Sequence, residues 1–384
     1  MQEMSRKNKL FTDSVIRRMT RVSLACGAIN LAQGFPDFDP PKALTDRLAE
    51  VSALGPHQYP ITMGAPNFRQ ALARKAGRFM GRALDPDTDM VVTIGSTEAM
   101  VDTIFALTNP GDKIIMFSPY FENYRAQAIM ADCEPVFVPL VPPEFNFDAN
   151  VLEDAFKQGA KAILICNPSN PSGKVFTYDE LKLISELCIK YDAFAIMDEV
   201  YEHIVYDGHK HIYMNSLPGM WERTVSCSSL SKTYSVTGWR LGYIAAPENM
   251  IEPMNRLSFY MTAGATTFVQ YAGVAGLLEE DGSIERMRQE FKRRRDYLVE
   301  EINKMQHFSC KKPEGAFYIF MNIKKSGMTA DEFCAYAIDK YRLATIPGTA
   351  FGRNGEGYVR LSYASSMEVL QKAISILHQI DQEL

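Results

Sequence analysis

No two of the seven cysteines in this 384-residue chain (Cys26, Cys133, Cys166, Cys188, Cys227, Cys310, Cys334) stand as a CxxC pair. Their odd number and irregular spacing argue against a zinc ribbon or a disulfide framework. They fit reduced thiols in a cytoplasmic protein, most of them small core residues. No apolar run reaches the length of a membrane span, so no membrane association is expected. Basic residues are not in surplus: 41 Lys and Arg stand against 46 Asp and Glu, a net charge of −5, which argues against a nucleic-acid partner. The start, Met1-Gln2-Glu3-Met4-Ser5-Arg6-Lys7, lacks the apolar stretch of a secretory signal. Residues 13–27 are mildly basic and amphipathic but contain Asp13; a helix packed on the body is expected rather than a transit peptide. Internal repeats and low-complexity linkers are absent. Lys292-Arg293-Arg294-Arg295 lies among glutamates and reads as a solvated helix face rather than a nucleic-acid signal. His209-Lys210-His211 has no cysteine or carboxylate cluster beside it in sequence, so a surface loop is expected there, and no metal site.

What is present is ordinary globular composition, 46% hydrophobic and 23% charged, at a length that exceeds one hydrophobic core and so implies two domains. From about Asp89 short apolar runs alternate with helical stretches. Strands are expected at 90–94, 113–117, 135–140, 162–166, 194–197, 224–227 and 242–246, with helices over 97–107 and 178–190. Strands without polar alternation, separated by helices, indicate an α/β sheet covered on both faces. Ligands of such sheets bind at the carboxyl ends of the strands. From Gly282 the composition shifts to a long charge-dense helix over 283–304, then to short strands and helices. The expected division is an N-terminal arm that joins the small domain (1–45), a large domain (46–281) and a C-terminal small α+β domain (282–384).

The candidate chemistry lies at those strand ends. Lys232 sits in Ser228-Ser229-Leu230-Ser231-Lys232-Thr233-Tyr234, with Arg240 eight positions on. A lysine amine can form a Schiff base with an aldehyde, the way enzymes hold pyridoxal phosphate (PLP). Hydroxyls before it and a guanidinium after it suit the cofactor's phosphate, although a lysine in a Ser/Thr-rich stretch also describes a solvated loop. Asp198 ends a buried strand. A buried carboxylate facing a pyridine nitrogen keeps it protonated and makes the ring an electron sink; the alternative is an N-cap or turn aspartate. Tyr201 and Asn170 can both reach the cofactor's phenolic oxygen; core packing and a Pro/Gly-rich turn are their structural alternatives. Gly95-Ser96-Thr97, between strand and helix, offers backbone N–H groups to a phosphate at the helix N-terminus. Gly352-Arg353-Asn354-Gly355-Glu356-Gly357 precedes a strand rather than a helix, and reads as a turn and not a nucleotide cradle.

Taken together, these segments resemble the class I/II aminotransferases, the PLP-dependent fold-type I family typified by aspartate aminotransferase. The resemblance runs from about Ile29 to the end. It is carried in order by Asn30-Leu31-Ala32-Gln33-Gly34-Phe35-Pro36-Asp37-Phe38, residues 59–65, residues 95–100, Ser118-Pro119-Tyr120-Phe121, residues 167–173, Asp198-Glu199-Val200-Tyr201, residues 229–240, residues 346–352 and Val359-Arg360-Leu361-Ser362. It implies a large domain with a mostly parallel seven-stranded sheet flanked by helices, plus a smaller α+β domain. By this resemblance Lys232 matches the Schiff-base lysine, and Ser229, Arg240, Ser96 and Thr97 the phosphate ligands. Phe121 matches the aromatic that stacks on the pyridine ring, where many members carry tryptophan. Asn170, Asp198 and Tyr201 match the ring ligands. Arg360 resembles the arginine that grips the substrate α-carboxylate, and Gly34 the glycine beside the substrate. Tyr59 resembles the tyrosine that reaches the partner subunit's phosphate, which implies a homodimer with shared active sites.

The implied reaction is a two-stage transamination in which the freed Lys232 amine moves the Cα proton of an amino acid, with an amino acid and a 2-oxo acid as partners. The segment around Gly34 looks like the aspartate, glutamine/kynurenine and aromatic branches. A dicarboxylate would need a second cation, for which Arg256 is a candidate. The apolar stretch Leu257-Ser258-Phe259-Tyr260-Met261 favours a neutral or aromatic donor. Two alternatives stand beside this reading. One is a cysteine-conjugate β-C–S lyase on the same fold. The other is a non-catalytic PLP-binding sensor, against which the retained lysine, aspartate and arginine argue.

Overall fold

The computed structural model describes residues 3–278 and 282–384. Its centre is a seven-stranded sheet in the order Met90–Ile94, Leu241–Ala245, Thr224–Ser229, Phe194–Asp198, Ala160–Cys166, Lys113–Ser118, Glu134–Pro139. All seven expected strands are present. Leu241–Ala245 runs antiparallel to both its neighbours, and the remaining pairs are parallel. The continuous apolar runs follow from burial on both faces. Ile114, Met116, Ala162, Leu164 and Ile196 pack into the core on one side, and Ile115, Phe117, Ile163, Ile165, Ala195 and Met197 into the core on the other. With side chains alternating across a strand, neither face can be polar.

Some boundaries shift by one or two residues. The helix expected from residue 97 starts at Gly95 and runs Gly95–Leu107, so Ser96 and Thr97 lie in its first turn. The strand expected over 135–140 pairs as Glu134–Pro139. The helix over Tyr178–Lys190 begins at a capping box, with the Thr177 hydroxyl accepting from the Glu180 amide and the Glu180 carboxylate accepting from the Thr177 amide. The long charge-dense helix is Ser283–Ile302.

A three-stranded antiparallel sheet, Ile346–Pro347, Tyr358–Ser362 and Tyr318–Asn322, stands beside the large one. Its core gathers Phe291, Phe317, Phe333, Val359 and Leu370, and Leu31 joins it. The short strand Ile29–Asn30 pairs in parallel with Leu343–Ala344, and the Ser362 amide donates to the Leu31 carbonyl. The chain near residue 32 is thereby tied to the strand that carries Arg360. The helix Val15–Cys26, capped by Ser14 and ended by left-handed Gly27, lays Val15, Ile16 and Met19 against the large-sheet core. The basic run is more buried than expected: Arg293 faces solvent and Lys292 is half-buried, but Arg294 and Arg295 are buried and paired with Asp37, Glu290, Asp207 and Asp296. The boundary expected at residue 281 lies outside the described residues, as do Met1 and Gln2. Among the described residues no helix is long and apolar enough to cross a membrane, and the seven cysteines are free thiols.

Candidate active site

Strand register brings the expected residues together. Ile94 pairs with Leu241, Ser229 with Gly242, and Asp198 with both Cys166 and Cys227. The carboxyl ends of four strands therefore lie along one edge of the sheet. Because Leu241–Ala245 is antiparallel, its beginning lies at that same edge, and Arg240 just before it joins the group. The cleft there has a volume of about 740 Å³ and is lined by Gly34, Ser96, Thr97, Phe121, Asn170, Asp198, Tyr201, Ser229, Lys232, Arg240 and Arg360. Of the residues that the family resemblance assigns to the site, Tyr59 alone is absent from this lining, and it is 88% exposed.

Lys232 lies on the short helix Leu230–Thr233, half-buried rather than in a solvated loop. Its amine donates to the Gly34 carbonyl. Burial, then the charges of Arg360 and Arg240, lower its pKa to about 8, against an opposing pull from Asp198. Asp198 is buried at the end of its strand. Burial raises its carboxyl to about 6, while the Tyr124 hydroxyl and the Val200 amide, both donating to it, act in the other direction. Tyr201 is buried, with its hydroxyl 2.9 Å from that of Tyr318.

Arg360 is the most telling group. It is 1% exposed. One terminal nitrogen donates to Asn170 Oδ1 at 3.0 Å, the other to the Ala32 carbonyl at 2.6 Å, and Nε has no partner. Its guanidinium lies 4.3 Å from the Tyr318 ring centroid. The other buried arginines among the described residues, Arg69, Arg294 and Arg295, each pair with a carboxylate; Arg360 pairs with none. A buried guanidinium without a counter-anion is costly, and this one faces a cleft. Arg240, in the left-handed backbone region at φ 53°, also has no carboxylate partner among the described residues. It donates to the Thr237 carbonyl at 2.9 Å and lies against Gly95, where a Cβ would come 2.2 Å from its Nη2. Glycine at 95 thus lets a cation sit at the N-terminus of Gly95–Leu107, where the peptide dipoles also favour an anion.

Four cleft residues carry no signal in the sequence. Tyr124 follows Phe121 by three, so both line the cleft from one helix start, but its bond to Asp198 spans 74 positions. Tyr318 packs between Gly34, Tyr201 and Arg360 from a strand without a motif. Glu98 accepts from the Ser258 and Thr262 hydroxyls. Arg17 reaches the cleft from the N-terminal helix. Two expectations are corrected. Arg256 is not at the cleft; it pairs with Glu252, one turn back on its own exposed helix face. Of residues 257–261 only Met261 lines the cleft, while Phe259 and Tyr260 face solvent.

Comparison with known proteins agrees with this geometry. The family model described as aminotransferase class I and II matches residues 27–377. The chain is 35% identical to an aspartate aminotransferase of Pyrococcus abyssi, over 99% of this chain and 98% of that protein. It is 36% identical to aromatic-amino-acid aminotransferase 2 of Thermococcus litoralis, over 93% and 92%. The crystal structure of the aromatic aminotransferase from Pyrococcus horikoshii superposes with a TM-score of 0.90 at 35% identity, covering 96% of this chain and 99% of that one. The chain therefore belongs to the class I and II aminotransferases, enzymes that use PLP to move an amino group between an amino acid and a 2-oxo acid.

Proposed function

We propose that Lys232, Asp198 and Tyr201 are the catalytic residues of this transaminase, and that its donor is an L-amino acid of aspartate, glutamine/kynurenine or aromatic type. The carrying observation is that Arg240 and the buried Arg360, beside Lys232, line one cleft without carboxylate partners among the described residues. A donor set with a cation at each end, a lysine amine and a buried carboxylate between them, fits a phosphorylated aldehyde and a carboxylate substrate. Ser96, Thr97, Ser229 and Arg240 would hold the PLP phosphate, Phe121 the ring face, Asp198 the ring nitrogen, and Asn170 and Tyr201 the phenolic oxygen. When bound, PLP supplies an aldehyde that takes up the substrate amine and a ring that draws off the charge left at Cα.

The chain's own residues do the rest. Arg360 grips the α-carboxylate with its planar fork, beside Asn170 and Gly34, and so fixes the Cα–H bond toward Lys232; such positioning is worth several kcal/mol. Burial, then the charges of Arg360 and Arg240, hold the Lys232 amine of the cofactor-free cleft down to about 8, and such an environment suits a free amine that moves the Cα proton. Asp198, as a carboxylate, would keep a proton on the ring nitrogen of bound PLP. The donor leaves as a 2-oxo acid, and a second 2-oxo acid takes up the amine in reverse.

Further parts of the reading concern the whole chain. Residues 46–281 form the cofactor-binding domain, and 1–45 with 282–384 the small one. The enzyme is a cytoplasmic homodimer in which Tyr59 serves the partner's site; its 88% exposure, together with exposed Leu54, Ile61 and Tyr260, supports an interface there. Absorbance of the purified PLP-loaded protein, recorded as single amino acids are added without an oxo acid, tests the function. Loss of the long-wavelength cofactor band, with one oxo acid released per site, is expected. Steady release of pyruvate and ammonia from cysteine conjugates with the band intact would assign the lyase instead.

A further inference from the structure

Behind the catalytic cleft, on the far side of Asp198, lies a second polar cluster that transamination does not use. Glu199 is fully buried; its Oε1 stands 3.3 Å from His211 Nε2, and its Oε2 has no partner. His211 belongs to the His209-Lys210-His211 stretch, for which the sequence leads one to expect a surface loop without carboxylates. The loop is there, with His209 and Lys210 exposed, but the His211 side chain departs from the expectation: it is 5% exposed beside a buried carboxylate, and its Nδ1 is buried without a partner. Glu202, also buried, accepts from the Tyr213 hydroxyl at 2.7 Å and the Ser228 hydroxyl at 3.2 Å, and lies 3.5 Å from His203. One ligand atom each from Glu199, Glu202 and His211 lies within 4.8 Å of the others. Among the described residues neither carboxylate forms an ion pair with lysine or arginine.

We propose that Glu199, Glu202 and His211 form a binding site for a divalent transition-metal ion of the Zn²⁺ class. Two carboxylates held together out of water call for a proton or a cation between them, and imidazole contacts are the only ion pairs they make among the described residues. A set of two carboxylates and one imidazole suits zinc and its neighbours. Ligands on a tetrahedral ion with bonds of about 2.0 Å stand about 3.3 Å apart, the separation Glu199 and His211 already have. Glu202 closes the triangle by a small side-chain movement. A cavity of about 910 Å³, lined by Glu202, His203, His211 and Tyr213, gives the ion access and leaves its fourth position to water or a small anion. Arg74 on the same cavity favours the anion, whereas Arg288 there is already paired with Glu285. Because Glu199 follows Asp198 directly and its amide is fixed to the Cys227 carbonyl, the ion would brace the backbone that carries the ring-facing carboxylate.

The test is a Co²⁺ titration of untagged, chelator-treated PLP-loaded enzyme, followed in the visible region beyond the cofactor's own band. Saturation at one Co²⁺ per chain with the intense bands of a four-coordinate ion, displaced by Zn²⁺, is expected. His211→Ala and Glu202→Gln, each checked by its cofactor band, should weaken binding by about tenfold or more. Absence of saturable binding by the wild-type enzyme would overturn the proposal without recourse to any variant. Equal binding by wild type and both variants would overturn it too, leaving the cluster as a hydrogen-bonded network.

Discussion

Lys232 and Arg360 are held in conditions that weaken folding and serve chemistry. For Lys232 the sign can be worked out. In the unfolded chain its amine has the ordinary value of 10.5; folded and without cofactor it is lowered to about 8, first by burial. Between those values the unfolded chain binds a proton that the folded one does not, so stability rises with pH across that window. The full penalty, about 3 kcal/mol, is present below pH 8 and gone above 10.5. Cofactor-free Lys232→Met should therefore be more stable than cofactor-free wild type at pH 7, with the advantage shrinking as pH rises toward 10.5. Denaturant titrations at several pH values measure this, and a pH-independent difference would contradict it. Lys232→Ala should lose turnover by about 10⁴-fold or more; near-normal activity would refute the assigned role. Gly34 is constrained by contact rather than by its dihedrals. A Cβ there would lie 2.0 Å from the Tyr318 hydroxyl oxygen, whereas the next ring atom is at 3.0 Å. Gly34→Ala is expected to impair amino-acid turnover, and the double variant with Tyr318→Phe to recover part of it, a rescue that kcat/KM will show.

The elements explain which residues sequence alone could reveal. Lys232, Asp198, Asn170 and Ser96 each sit just past or at the end of a buried strand, where a polar residue breaks an apolar run, and each falls in a short motif. The seven strands were legible for the same reason, since burial on both faces leaves no polar alternation. Tyr124, Tyr318 and Glu199–His211 were not legible in this way. Their contacts depend on which strand ends meet, and Tyr318 joins Tyr201 across 117 positions. The N-terminal helix is the clearest case: its amphipathic pattern showed that it packs, but not that Arg17 would line the cleft. It is anchored there by Glu122, which accepts from the Ser14 hydroxyl and the Val15 amide just after Phe121. Arg17 has no carboxylate partner among the described residues, and a substrate carboxylate can supply one. Arg17→Ala is expected to lower kcat/KM for a dicarboxylic donor about two- to fivefold relative to an aromatic donor, the range of an exposed ion pair. Arg256→Ala, whose partner is Glu252, should leave that ratio unchanged. Donor kinetics on the two variants distinguish the sequence's candidate cation from the one the fold supplies.

At the scale of the whole molecule, one expected site residue has no place in the cleft of a single chain. Tyr59 points its ring into solvent near Ile61, and Leu54 and Tyr260 are also exposed. On the proposed homodimer reading, Tyr59 acts across a two-fold interface, so that each site combines the Lys232 of one chain with the Tyr59 of the other. Such sharing makes a complementation experiment decisive. Lys232→Ala chains hold a usable Tyr59 but no amine, and Tyr59→Ala chains the reverse. When the two are co-expressed and exchange at random, half of the dimers are hybrids, and each hybrid contains one intact site and one doubly defective site. Activity should rise above that of Tyr59→Ala alone, toward roughly one quarter of wild type. If Tyr59 instead served its own chain, every hybrid site would lack either the lysine or the tyrosine, and mixing would only dilute the weaker activity of Tyr59→Ala. Light scattering on the same samples would establish whether the dimer exists. The kinetics would establish whether its two sites are built from both chains.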